Sequence, residues 1–331
     1  MAAPVADLDM SSPAPTQAAA EAAAAAAAEA KANAEEVETI ELDPAATDID
    51  LTRRRIKKIE GFDFLTNVKE LCLRWNLISK IEGLNNLVNL VHLDLYDNQI
   101  AKIEGLETLV NLEVLDLCYN RLTKLEGLST LTKLKTFYAM HNKIVVIEGL
   151  ENCTELEYLE LGDNRIEKIQ GLENCTKINR LMLGANQIKK IQGLDTLKDL
   201  KMLSLPANAI QHIENLSSLT NLQELYLAQN GIKEIGGLEA NEALEVLDLN
   251  YNRLEKVTNI GHLQNLTDFW ARQNKIATFE DSVPILSGLP KLSLVYLEFN
   301  PVQKLPGYRE HVMDAIPQLK RLDSEYCKTR L

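Results

Sequence analysis

Residues 90–109 read LVHLDLYDNQIAKIEGLETL, and this pattern returns every 22 residues along most of the chain. Its frame is Leu-x-x-Leu-x-Leu-x-x-Asn-x-Ile-x-x-Ile-x-Gly-Leu-x-x-Leu. The asparagine of the frame occupies ten positions that are spaced by 22 residues, and an eleventh that follows after 26. These positions are Asn76, Asn98, Asn120, Asn142, Asn164, Asn186, Asn208, Asn230, Asn252, Asn274 and Asn300. So regular a period indicates stacked coils, each built from one repeat.

Each fixed position of the frame has a physical role within one coil. In Leu-x-Leu the side chains alternate, so both leucines point into the core and the residue between them points outward. The asparagine amide can satisfy backbone groups of the turns between coils. The glycine permits a tight turn, and Asn215 and Asn259 replace it in two coils. The frame resembles the leucine-rich repeat in its 22-residue form. It predicts an α/β solenoid with a parallel sheet on the concave face and short helical or 3-10 turns on the convex face.

The repeat also predicts three regions along the chain. Residues 1–47 are rich in Ala and Glu and poor in large apolar side chains, so we expect a disordered acidic tail. Residues 48–300 form the solenoid, which starts with a degenerate coil in which Arg54 replaces the asparagine. Residues 301–331 resemble the C-terminal cap of several intracellular leucine-rich-repeat proteins, a helix that covers the last sheet edge.

Charge and cysteine usage exclude several classes of partner. Residues 1–50 contain eleven acidic residues and one basic residue, Lys31, so most of the net charge of −13 lies there. Nucleic acid favours clustered Lys and Arg, and is therefore not an expected partner. The five cysteines lack zinc spacing, and the longest apolar run, Ala22–Ala28, is too short to span a membrane. We expect a reduced, intracellular protein with no cofactor and no membrane contact.

The variable outward positions of the strands are the place to look for function. Ten of the 17 aromatic residues fall in four outward columns: Trp75, Tyr96, Tyr119, Tyr138, Tyr158, Tyr226, Tyr251, Trp270, Tyr296 and Phe299. Aromatic rings interleaved with acids are typical of protein-binding surfaces. The alternative is that β-propensity alone favours rings in strands. Eleven strands make an arc of ~50 Å, which suits a folded protein better than a small molecule.

The sequence does not indicate an enzyme. The five histidines are scattered, and no serine or cysteine has the spacing of a nucleophile with its base. Asp94 and Asp116 fall on adjacent coils and could bind a cation or act as paired carboxylates. We interpret them as an acidic contact surface, because no ring of further oxygen ligands accompanies them.

The frame, the start Asp-Leu-Thr-Arg-Arg-Arg-Ile at residues 50–56 and the cap together resemble one family. It is the leucine-rich-repeat regulatory subunit of type-1 serine/threonine protein phosphatase (regulatory subunit 7), and the resemblance covers residues 48–331. It implies a non-catalytic subunit of nucleus and cytoplasm. This subunit would bind the phosphatase catalytic subunit on the concave face and control its activity, maturation or location, in some cases together with a second inhibitor protein.

Carried over position by position, the resemblance implies eight contact residues. They are Asp116, Tyr138, Glu160, Met182, Asp248, Asp268, Trp270 and Tyr296. Met182 departs from the aromatic residue expected there, and Asp268 replaces a longer carboxylate.

Two other functions stay open at the level of sequence. Similar 22-residue repeats occur in structural scaffolds of cilia and microtubules, and such a scaffold would capture tubulin or axonemal proteins. A metal protein or enzyme built around Asp94 and Asp116 would instead contain bound metal when purified.

Overall fold

The computed structural model describes residues 40–327, in which fourteen short strands form one sheet in chain order. Each strand from β1 to β12 pairs in parallel with the next, and β14 pairs antiparallel with β13. The strands are β1 (Asp48–Asp50), β2 (Glu70–Cys72), β3 (His92–Asp94), β4 (Val114–Asp116), β5 (Thr136–Tyr138), β6 (Tyr158–Glu160), β7 (Arg180–Met182), β8 (Met202–Ser204), β9 (Glu224–Tyr226), β10 (Val246–Asp248), β11 (Asp268–Trp270), β12 (Leu294–Tyr296), β13 (Arg321–Leu322) and β14 (Glu325–Tyr326). The predicted leucine-rich-repeat solenoid is confirmed.

The core follows from the alternation of side chains along each strand. The middle residue of each strand is buried, and the register aligns Leu71 with Leu93 and Leu93 with Leu115. Burying one such side chain contributes about 2 kcal/mol, so a column of them stabilises the stack strongly. The residues on either side face the concave surface, and their identity is therefore free to vary.

The repeated asparagine joins one coil to the next. The Nδ2 group of Asn98 donates to the Leu73 carbonyl at 3.0 Å and to the Leu95 carbonyl at 3.1 Å. Its Oδ1 accepts from the Ile78 amide at 3.0 Å. This ladder satisfies buried backbone groups that an apolar side chain would leave unpaired.

The glycine turn explains why one position of the frame excludes most side chains. Gly105 has φ +70°, and a Cβ atom there would lie 2.5 Å from the Ile81 carbonyl oxygen. Asn215 and Asn259 adopt φ 59° at the equivalent position, as the sequence predicts. The side-chain Nδ2 group of Asn215 donates a hydrogen bond to the Ile191 carbonyl at 2.8 Å, the carbonyl equivalent to that of Ile81 beside Gly105.

The convex side consists mainly of successive turns. Bonds such as Leu87 N–H to the Leu84 carbonyl, at 3.0 Å, close these turns with the i to i+3 pattern of a 3-10 turn. The longer spacing before Asn300 accommodates a short helix, α1 (Val283–Ser287). No helix among residues 40–327 is long and apolar enough to cross a membrane.

The C-terminal cap combines helix and sheet. A 3-10 helix (Pro301–Lys304) and α2 (Tyr308–Ala315) are followed by β13, which covers the edge of β12. Asp323 directly follows β13, at the register position of Tyr296, and its Oδ1 accepts from the amides of Leu297 and Glu298 at 2.8 Å. The sequence pattern predicts only the helix at this end. The two added strands pair backbone groups that an open edge would expose.

At the other end, the sheet begins at Asp48. The amides of Arg54 and Ile56 donate to Oδ1 of Asn76 at 3.0 Å, so the degenerate first coil uses the asparagine of the second. The predicted disorder of the acidic tail falls largely on residues 1–39, which lie outside the described residues.

Candidate functional site

The candidate site is the concave face, formed by the outward residues of the strands. Tyr138, Trp270 and Tyr296 are half-buried there and take no part in the core. Seven of the eight predicted contact residues end a strand, in the column that lies between the two leucines of each repeat. The eighth, Asp268, begins β11.

The structure divides the eight residues into two sets. Asp116, Tyr138, Glu160 and Met182 lie side by side on β4 to β7. Asp248, Trp270 and Tyr296 lie side by side on β10 to β12, and Asp268 flanks them. Strands β8 and β9 separate the two sets, so Met182 and Asp248 are three strand spacings apart, about 14 Å.

In the first set, Asp116 is already paired. Its Oδ2 accepts from Nη2 of Arg74 at 3.2 Å, and its Oδ1 accepts from the Cys118 amide at 2.9 Å. Nε of Arg74 lies 2.6 Å from Oδ2 of Asp94. The guanidinium therefore neutralises both aspartates of the suggested cation site, where a metal ion would otherwise sit.

Glu160 and two tyrosines form the middle of the first set. The Tyr138 and Tyr158 rings are 5.2 Å apart, and burial raises the pKa of Tyr158 to about 12. Burial also raises the pKa of Glu160, against the stabilising hydrogen bond that its Oε1 accepts from the Gly162 amide at 2.8 Å. Met182 extends the set with a half-buried apolar side chain that adapts readily to a partner.

In the second set, Asp248 is buried without an ion pair in the described chain. It is only 8% exposed, and its Oδ1 accepts from the Asn250 amide at 2.9 Å. Burial raises its pKa to about 6, while the hydrogen bond and the charge of Arg272 act in the opposite direction. Arg272 itself is paired with Glu298.

Aromatic rings lie on the strands next to that of Asp248. Trp270 lies 6.1 Å from Tyr226 and 6.0 Å from Tyr296, between ring centroids. Tyr226 and Trp270 belong to β9 and β11, which flank the strand of Asp248. Their rings are closer than two strand spacings of ~9.6 Å, so they lean toward each other across it.

Three polar groups of this cluster affect its binding chemistry. The indole Nε1 of Trp270 is buried and has no hydrogen-bond partner among the described residues. The Tyr226 hydroxyl donates to Glu224 at 2.5 Å. Asp268 accepts from the Thr267 hydroxyl at 2.6 Å.

The eight predicted contact residues leave out two residues that matter to this geometry. Arg74 neutralises Asp116 from two coils away, and Tyr226 packs against Trp270. Both belong to the outward columns, so their positions in the repeat could have identified them as candidates. Among residues 40–327, no group of three or more His, Cys, Asp or Glu side chains is arranged to hold a metal ion.

A family model described as "Leucine Rich repeats (2 copies)" matches residues 66–108, 88–130, 110–152, 132–174 and 220–262. An internalin from Listeria monocytogenes is similar in structure, with a TM-score of 0.68 and 23% identity, over 85% of this chain and 87% of that one. A leucine-rich-repeat protein from Leptospira interrogans has a TM-score of 0.64 and 25% identity, over 79% of this chain and 74% of that one.

The curated relatives match a short segment. Protein phosphatase 1 regulatory subunit 7 of Xenopus tropicalis is 57% identical over 42 residues, which is 13% of this chain and 12% of that protein. The Homo sapiens protein of the same name is 60% identical over 42 residues, with the same shares of the two chains. The match thus spans about an eighth of each relative. The repeat, the sheet and these comparisons agree that the chain is a leucine-rich-repeat protein.

Proposed function

We propose that the chain is a non-catalytic regulatory subunit whose concave face binds the catalytic subunit of type-1 protein phosphatase. The observation that carries the proposal is the setting of Asp248, a buried carboxylate that has no ion pair among residues 40–327 and lies on the strand between those of two half-buried rings, Tyr226 and Trp270. The short segment of 57–60% identity to phosphatase regulatory subunits supports the choice of partner.

Asp248 favours a basic partner surface. An ionised carboxylate that is mostly removed from water is costly unless a cation pairs with it. A lysine or arginine of the partner would provide that cation, with Glu160 in the first set as a second acidic contact. The face therefore selects for positive charge at points about 19 Å apart, four strand spacings.

The ring cluster would supply most of the binding energy. Tryptophan and tyrosine dominate the energetics of protein interfaces because they bury a large area with few rotatable bonds. The indole N–H of Trp270 is itself buried, so a partner would contact the ring and not this group.

Regulation would follow from occupancy, with no chemistry by this chain. A partner seated on the face would have part of its surface covered, which can block substrates, retain an immature form or fix a location. Nuclear and cytoplasmic residence, and joint binding with a second inhibitor protein, belong to the same proposal.

The test uses the full chain and the purified phosphatase catalytic subunit in a calorimetric titration. We expect Trp270→Ala to weaken binding by about 30-fold, or about 2 kcal/mol, as for a central hot spot. Trp75→Ala is the matched control, since it removes the other tryptophan of the chain from the opposite end of the face.

Two outcomes would reject the proposal. One is unchanged affinity for Trp270→Ala or an equal loss in both variants. The other is purification of the full chain from cells with tubulin or axonemal proteins as the stoichiometric partner and no phosphatase, which would favour the structural scaffold.

A further inference from the structure

A separate group of residues lies in the outermost column of the concave face, immediately before each ladder asparagine. On four successive coils this column reads Asp97, Tyr119, His141 and Asp163. All four have a left-handed backbone, with φ between 50° and 55°. Bulky side chains are unfavourable in this region, and two later coils use Ala185 and Ala207 there. Backbone preference therefore does not explain the two rings.

The rings form part of a stack that crosses the coils. Tyr119 lies 4.3 Å from the His141 ring in a stacked arrangement and 5.0 Å from Tyr96, which contacts Trp75 at 5.9 Å. Trp75 is 40% exposed, and the His141 side chain is 54% exposed. These rings add little to the core. Because they hold one another in place, a ligand that contacts them loses little side-chain entropy on binding.

Cations of the chain already occupy the first rings of this stack. The guanidinium of Arg53 lies 4.3 Å from the centre of the Trp75 ring, and that of Arg74 lies 4.7 Å from the centre of the Tyr96 ring. No arginine or lysine of residues 40–327 lies over Tyr119. At Tyr119, the next position in this series is taken by the stacked ring of His141.

Carboxylates flank the rings at this point. Asp97 is exposed one coil before Tyr119. Asp163 is 55% exposed one coil after His141, with its Oδ2 2.5 Å from Nδ1 of that histidine. Acid, ring, ring and acid follow one another over three coil spacings, about 14 Å. The carboxylates attract a positively charged side chain, and partly exposed rings can pack against its apolar stem.

We propose that Asp97, Tyr119, His141 and Asp163 bind a basic segment of a protein partner, whose arginine or lysine side chains pair with the two carboxylates and pack their apolar stems against the rings. An extended segment advances about 3.3 Å per residue, so basic side chains four residues apart span ~13 Å and reach both carboxylates. None of these four residues is among the eight contacts implied for the phosphatase, so the proposal does not rest on that function.

The probe is a fluorescein-labelled peptide, Gly-Ser-Arg-Ser-Gly-Ser-Arg-Ser-Gly, titrated with the full chain and followed by fluorescence anisotropy. We expect Tyr119→Ala to weaken its binding at least about fivefold and Tyr119→Phe to retain it, since the ring is the surface against which the arginine stem packs. Asp97→Asn and Asp163→Asn together should weaken binding as well.

The chain offers a matched control in Tyr251. It occupies the same column with the same φ of 55° and is 46% exposed, but its neighbours in the column are Gln229 and Gln273. Tyr251→Ala should change the affinity less than about twofold, since no carboxylate flanks that ring. Equal losses for the two alanine variants would overturn the proposal. So would equally tight binding of the peptide with glutamate in place of arginine, or unchanged binding by Tyr119→Ala with an intact circular dichroism spectrum.

Discussion

Strands β4 and β10 have the same sequence, Val-Leu-Asp, and both bury the aspartate to 8% exposure. Asp116 in β4 is paired with Arg74, whereas Arg272, whose charge lowers the pKa of Asp248 in β10, is paired with Glu298. The two halves of the concave face therefore present the same residue in opposite electrostatic states. One carboxylate is satisfied within the chain, and the other is available to a partner.

This contrast indicates how one repeat can build both a stable and an interacting surface. In the first half, the arginine stabilises the folded chain and reduces what Asp116 can offer to a ligand. In the second half, the free chain bears the cost of a buried charge, which a basic partner would relieve. Destabilised groups of this kind are common where proteins bind, because stability and function compete for the same residues.

The largest predicted gain in stability is that of Asp248→Asn. The pKa of Asp248 is raised from 3.8 to about 6 in the folded chain, so the unfolded chain ionises first as the pH rises. Stability is therefore lost between about pH 4 and pH 6. The neutral amide avoids this loss, and we expect it to stabilise the free protein by about 2 kcal/mol at pH 7.5.

Urea unfolding at several pH values measures this effect. The difference between Asp248→Asn and the unmodified chain should disappear below about pH 4, where the aspartate is protonated in both states. The same variant should bind the phosphatase catalytic subunit at least about tenfold more weakly, because it cannot pair with a basic side chain. A variant that is less stable at pH 7.5 would contradict the account of Asp248.

Asp116→Asn sharpens the comparison from the other half. It leaves Arg74, whose side chain is 37% exposed, with Asp94 as its remaining acidic partner. We expect a loss of stability of about 1 kcal/mol at pH 7.5, reduced at high salt because the pair is partly solvated. The same unfolding measurement checks it. A gain in stability like that of Asp248→Asn would remove the distinction between the two strands.

Most of the fold follows from the sequence because the same residue recurs at the same place in each coil. Asn98 and Gly105 can each be assigned from the period and from elementary hydrogen bonding. The electrostatic states of Asp116 and Asp248 cannot, since their strands are identical and the difference arises from arginines on other coils. Likewise, β13 and β14 follow no repeat and have only two residues each, so no period predicts them.

The contrast between the halves extends to one buried column on the convex side. In the first half this column contains leucines such as Leu109 and the thiols of Cys153 and Cys175, all fully buried. In the second half it contains Asn241, also fully buried. Its Nδ2 donates to the carbonyls of Leu216 at 3.1 Å and Leu219 at 2.8 Å, but its Oδ1 has no hydrogen-bond partner among residues 40–327.

Asn241→Leu should therefore give a small gain in stability. It removes an unsatisfied acceptor and restores the apolar column, and the two carbonyls keep backbone donors in the amides of Leu219 and Leu222. We expect a gain of about 0.5–1 kcal/mol in urea unfolding, limited by the loss of two hydrogen bonds. Asn252→Leu is the control, since that ladder asparagine accepts from the Ile232 amide at 3.0 Å and its loss should destabilise the chain by more than about 2 kcal/mol. If Asn241→Leu destabilised the chain as Asn252→Leu does, the Asn241 amide would be a structural link between coils. The proposed difference in stability between the two halves of this column would then be wrong.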